Sequence, residues 1–225
     1  MYFNIATALL VVGLAAFIAY IVYLVYCNSL LEKLDRNHFR NSFPYNFYAD
    51  VSLGQRIILY VLLSVYVLCM SVGEAFYFIS LESSFSILIG IFMPVGMIAL
   101  GISNVLSLSN YRSHLISSAA GFLLLSATSL LFSFASVIPS AINPKYSVSI
   151  PIQVLFGVIG AVLLLGLVNP KLTDWSKMDK TEKDGTTYYV KPKINFYALY
   201  EWIYLFMSAV LGLLCMLNAI LGNSI

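Results

Sequence analysis

Apolar residues in this chain come in six long runs separated by short polar stretches. The runs cover about 4–27, 57–79, 85–108, 115–138, 152–168 and 196–221. Each is close to the ~20 residues needed to cross a ~30 Å hydrocarbon core, so each predicts a membrane-spanning helix. The expected fold class is all-α: a polytopic integral membrane protein, a bundle of six transmembrane helices in one domain over 1–225. The connecting stretches 28–56, 109–114 and 169–195 fall on one side of that bundle. Ser80–Ser84 and a proline-containing loop from Pro139 to Pro151 fall on the other.

Local patterns refine the connections. Ser29-Leu30-Leu31-Glu32 has the form of a capping box, a hydroxyl three residues before a carboxylate. Leu30, Leu31, Leu34 and Phe39 follow it, interleaved with charges, and fit either a short amphipathic helix in the inner interface or a continuation of the first helix into water, ended by Pro44. Phe43, Tyr45, Phe47 and Tyr48 are then expected at headgroup depth, as is an aromatic belt of Tyr197, Tyr200, Trp202 and Tyr204 opening the last run. In 169–195, Asp184-Gly185 is a preferred two-residue hairpin turn and Thr186–Val190 has strand composition, which predicts a small hairpin between the fifth and sixth helices. Pro94, within the third run, removes a backbone donor and predicts a kink there. Met1–Tyr26 carries no Lys or Arg, so it lacks the basic start of a secretory signal and is expected to stay as a span.

Charge adds orientation. Only 10% of the 225 residues are charged, 60% are hydrophobic and mean hydropathy is +0.90, against roughly 25% charged in soluble domains. Of twelve Lys and Arg residues, eleven fall in the three stretches 28–56, 109–114 and 169–195, and only Lys145 falls on the opposite side. Basic residues stay cytoplasmic beside inserted helices, so these three segments are expected in the cytoplasm and both termini outside it. The net charge of +2 is modest and its cations flank the spans, which suits anionic lipid headgroups rather than nucleic acid. The multi-pass protein is accordingly expected in the cell membrane. Cys27, Cys69 and Cys215 lie inside apolar runs without paired spacing, and only two histidines are present. A disulfide framework, a metal site or a haem is therefore not expected, and no cofactor is assigned.

Few residues could carry chemistry. Glu74 stands inside the second run, where a carboxylate costs a few kcal/mol and should face the bundle interior. Ser64, Val67, Ser71, Glu74 and Phe78 follow 3-4-3-4 spacing, which aligns two hydroxyls with the carboxylate. Ser126, Ser129, Ser133, Ser136 and Ser140 make a similar stripe on the fourth helix, suited to close helix packing or to a hydrated path. Asn104, Arg112 and His114 form a polar cluster near the inner surface, suited to interfacial anchoring or to an anion. Glu201 is expected at the inner interface, paired with a lysine or with water. Glycine-rich phosphate loops, a Gly-x-Ser-x-Gly elbow and a His-Glu-x-x-His helix are all missing from the sequence, so no enzyme activity is expected.

Two functions remain open at this stage. One is binding or translocation of a small solute or ion past Glu74, Ser71, Ser64, Ser126, Ser129 and Ser133. The other is a non-catalytic accessory or scaffold subunit, with small-residue faces (Ala15 and Ala19; Gly157 and Gly160) against partner membrane subunits or a second copy. A polar interior converging on one cavity favours the first, and a dry, packed bundle favours the second.

Overall fold

The computed structural model describes residues 2–31, 37–49, 51–106, 110–135, 148–174, 179–183, 186–190 and 192–222, without the side chains of 111 and 173–190. Six helices are long and apolar enough to cross a membrane. They are α1 (Tyr2–Ser29), α3 (Leu53–Ser80), α4 (Ser84–Val105), α5 (Tyr111–Ser133), α6 (Ile150–Leu167) and α7 (Phe196–Gly222). A one-turn helix α2 (Asn46–Ala49) precedes α3, and a 3₁₀ turn, Pro170–Asp174, follows α6. The expected hairpin is present: β1 (Asp179–Lys183) pairs antiparallel with β2 (Thr186–Val190), with Lys183 opposite Thr186, the register of a two-residue turn.

Helix boundaries follow local chemistry. Ser52 caps α3 and Gln55 reaches back to it, while Ser83 and Ser86 do the same for α4. Each box satisfies backbone donors that would otherwise be orphaned at a helix start. The tight turn between α3 and α4 places Glu82 at a φ of 51°, the left-handed conformation that completes the reversal.

Helices α1, α3, α4, α5 and α6 form an arc in which each packs on the next, antiparallel, and α7 lies inside it, touching all five. Close backbone approach makes this possible. A Cβ on Gly121 of α5 would sit 2.9 Å from the Leu100 backbone nitrogen of α4, and one on Gly166 would overlap the Tyr200 ring of α7. Stacking of Tyr2 on Phe76 and the Ser149–Asn218 hydrogen bond put the start of α1, the end of α3, the start of α6 and the end of α7 at one end of the bundle. The connections 30–52, 106–110 and 168–195 crowd the other, loop-rich end.

The segment after α1 departs in part from expectation. Ser29 lies in the last turn of α1, its hydroxyl donating to the Tyr26 carbonyl at 2.6 Å, and the Glu32 end of the expected capping box lies outside the described residues. Residues 32–36, the middle of the expected amphipathic segment, lie outside the described residues, and 37–42 form a turn closed by the Asn41 and Ser42 amides on the His38 carbonyl. Asn28 clamps this segment through reciprocal 2.9 Å bonds with the Asn37 backbone.

Most aromatics of 43–48 and of the start of α7 turn into the bundle. Phe43, Phe47, Tyr48, Tyr197, Trp202 and Tyr204 are buried, because each polar aromatic finds an internal partner. Trp202 donates to the Ser42 carbonyl at 2.9 Å, Tyr48 and Tyr20 share a 2.6 Å hydroxyl pair, and Tyr204 donates to the Leu163 carbonyl at 2.9 Å. The segment 37–49 thereby lies against the start of α7, with Phe39 and Phe47 edge-on to Trp202.

Candidate functional site

The polar groups of the interior gather on one face of α7. Tyr197, Glu201, Tyr204, Ser208, Cys215 and Asn218 recur at three, four or seven residues and are all buried, so they form one stripe along the whole helix. Tyr197 shares a hydrogen bond with Ser118 of α5. Tyr204 meets Ser126 of α5 at 2.8 Å, and Ser208 meets Tyr66 of α3 at 2.7 Å. Near the far end, Asn218 accepts from the Ser149 amide at 2.9 Å.

Glu201 is 0% exposed and sits in this face 2.9 Å from His114 Nε2, also 0% exposed. The other ring nitrogen of His114 lies 2.8 Å from the Leu106 carbonyl at the end of α4. Phe43 and Tyr45 present their rings to His114 at 5.7 Å, in T-shaped contact. His114, not a lysine, is Glu201's partner. The expectation for Glu201 is thus corrected. Nothing in local spacing links these two residues, although an intramembrane ionisable group seeks a partner as a rule.

Glu74 lies six residues from the end of α3, about 9 Å along the axis. It is 0% exposed, and neither carboxylate oxygen has a hydrogen-bond partner among the described residues. Cys215 of α7 and Tyr66 lie within its electrostatic reach. Tyr77, one turn on, stands over the same face, with Cys215 and Asn218 within reach. Glu74 therefore faces the polar stripe of α7.

The other singled-out residues scatter. Ser71 is buried and reaches the Pro94 carbonyl at 3.5 Å. Ser64 is exposed, lining an apolar groove of about 380 Å³ between α3 and α4 that opens outward beside Gly101 and Ile102. Ten residues at 100° leave it about 80° away from Glu74, which the 3-4-3-4 spacing conceals.

Ser126 joins Tyr204, but Ser129 and Ser133 donate at 2.6 Å to the Leu125 and Leu130 carbonyls of their own helix. Gly157 and Gly160 of α6 pack on this serine face at Ser133, Leu130 and Ser126, whereas Ala15 and Ala19 of α1 are exposed. Ser136, Ser140 and Lys145 lie outside the described residues. Asn104 is buried and donates to the Leu100 carbonyl at 2.6 Å, and Arg112 is exposed at the start of α5. Of the Asn104–Arg112–His114 cluster, His114 meets the stripe of α7, at Glu201. Among the described residues, no group of three His, Cys, Asp or Glu could hold a metal ion.

The arrangement can hold and pass protons between hydroxyl, imidazole and carboxyl groups in a dry environment. No protein-family model, curated protein or solved structure matches this chain.

Proposed function

We propose that this multi-pass membrane protein binds protons or another small cation and passes them along the buried polar face of α7, with Glu74 as the deep acceptor on the route. The observation that carries this reading is the position of Glu74: fully buried, unpartnered, and facing a stripe that holds the second buried carboxyl group, Glu201. A carboxyl in apolar surroundings is expensive, about 3 kcal/mol on insertion scales, and is retained in membrane proteins chiefly for work on ions. The loop-rich end faces the cytoplasm of a cell membrane in this reading, which the eleven-to-one distribution of basic residues supports.

The test is flux. Protein reconstituted in liposomes under a proton or sodium gradient should carry cation current, and Glu74→Gln should abolish it without loss of folded protein. Equal flux in wild type and Glu74→Gln would overturn the assignment.

A second reading has its own support. Hydroxyls such as Ser129 and Ser133 bond within their own helix, the glycines are packed against neighbours, and Ala15 and Ala19 face outward. A dry bundle with a small-residue outer face suits an accessory subunit in a larger membrane complex. The complex gently extracted from its native membrane decides this: a stoichiometric partner subunit, with no flux from the isolated chain, favours the accessory role.

A further inference from the structure

We propose that His114 and Glu201 form a one-proton station at the loop-rich end of the α7 face, and that the segment 37–49 is its lid. The proposal deepens the cation-handling reading and rests on it for its role in transport.

The proton count follows from the two contacts of the ring. His114 Nδ1 lies 2.8 Å from the Leu106 carbonyl oxygen, an atom that only accepts, so Nδ1 carries a hydrogen. Nε2 faces Glu201 Oε1 at 2.9 Å, an ion-pair contact whose atoms are not aligned as a hydrogen bond in this structure and become so by a small turn of the carboxyl, with one proton between them. With that proton on Nε2, the pair is imidazolium and carboxylate. With it on Oε1, the pair is a neutral ring and a carboxylic acid. Both forms have zero net charge and differ by one short proton transfer. Removing the proton leaves a bare buried carboxylate, and adding a second leaves a bare buried imidazolium. Either is an uncompensated charge in apolar surroundings, which makes the neutral one-proton form the resting state.

The station has a way in and a cover. Neither oxygen of Glu201 has a hydrogen-bond partner among the described residues; Oε1 faces His114, which leaves Oε2 as the face on which to take or release the proton. Tyr197, one turn away, lies 6.3 Å from the His114 ring and is 8% exposed. Over the ring, Phe43 and Tyr45 form the roof. The roof is tied down by the Trp202 indole to the Ser42 carbonyl at 2.9 Å and by the Asn195 amide to the Arg40 carbonyl at 2.9 Å. A third tie runs from the Asn41 side chain to the Pro192 carbonyl at 3.3 Å. Each tie joins the lid to α7 or to the residues just before it, the same helix that carries Glu201. Lifting the lid and exposing the station are therefore one motion. Tyr45 and Tyr48 from the lid and Tyr197 from α7 face the pair; the lid also carries His38 and Arg40, Arg112 lies two residues before His114, and Arg56 of α3 donates to the Ala49 carbonyl at the end of the lid.

Nuclear magnetic resonance of the full chain in lipid nanodiscs, labelled with ¹⁵N-histidine, reads the station directly. A His38→Asn background leaves His114 as the only histidine. The wild-type station should show a shared Nε2 proton far downfield, and Glu201→Gln should lose it while staying folded, because the new amide still donates to Nε2. Trp202→Phe, or the milder Asn41→Ala should the first not fold, should speed exchange of that proton with D₂O about tenfold, the factor given by one lost hydrogen bond in an opening equilibrium. A His114 ring without a shared proton overturns the station, and an exchange rate unchanged in both tie variants overturns the lid. A shared proton in a chain that carries no flux overturns the transport reading alone; flux without the shared proton overturns the station alone.

Discussion

Removing either member of the His114–Glu201 pair should cost more than removing both. The structure sets the scale. Each side chain is 0% exposed, and each has the other as its charge partner. His114→Leu strands Glu201 in the interior, and an orphaned buried ionisable group costs about 3 kcal/mol or more. Glu201→Leu strands His114 at a similar cost. In the double variant no ionisable group remains, two leucines fill a space walled by Phe43, Tyr45 and Tyr197, and the loss reduces to the Leu106 carbonyl's side-chain donor, about 1 kcal/mol. Additive behaviour would give about 6 kcal/mol instead. Unfolding in mixed SDS micelles, followed by tryptophan fluorescence, measures all four corners of the cycle. Trp202 reports from the position next to Glu201. A double variant as unstable as the sum of the singles would refute the claim that the two groups act as one neutral unit.

Tyr204→Phe removes a hydroxyl that joins α7 to Ser126 and to the Leu163 carbonyl while keeping the ring stacked on Phe122 at 4.1 Å. At ~0.6 kcal/mol for each interhelical bond, the loss in the same assay should be about 1 kcal/mol. Ser129→Ala, whose hydroxyl bonds only within its helix, should fall within about 0.5 kcal/mol of wild type. Gly121→Ala places a methyl group against the α4 backbone, which cannot yield as a side chain does, and should destabilise by about 1–3 kcal/mol.

The spans were legible because hydropathy over ~20 residues is a strong signal. The Asp184-Gly185 pair likewise located the hairpin from its turn chemistry alone. The α7 face was not legible, because Tyr197 and Tyr204, which open it, belong to a tyrosine-rich span start, the composition that also marks an interfacial belt. Whether such a tyrosine meets headgroups or a serine hydroxyl depends on the helices around it, and α7 alone is surrounded by the other five. Ser64 failed for a different reason: the ten residues from it to Glu74 would close three turns only at about 3.3 residues per turn, and at 3.6 they fall about 80° short. His114 and Glu201 were each visible as ionisable groups near the loop-rich ends of their spans. Their pairing is a property of tertiary packing between distant parts of the chain.

The helix that the others enclose follows them in the chain, and this sets an order for assembly. While α1 to α6 enter the bilayer, the arc has no centre: Tyr66, Glu74, His114 and Ser126 have only lipid or one another on the side that α7 will fill. Insertion of α7 brings the matching polar stripe in one step, converting a metastable half-shell into a closed bundle. Synthesis arrested before Phe196 would leave that half-shell with its polar lining turned to hydrocarbon, an intermediate suited to recognition by membrane quality control.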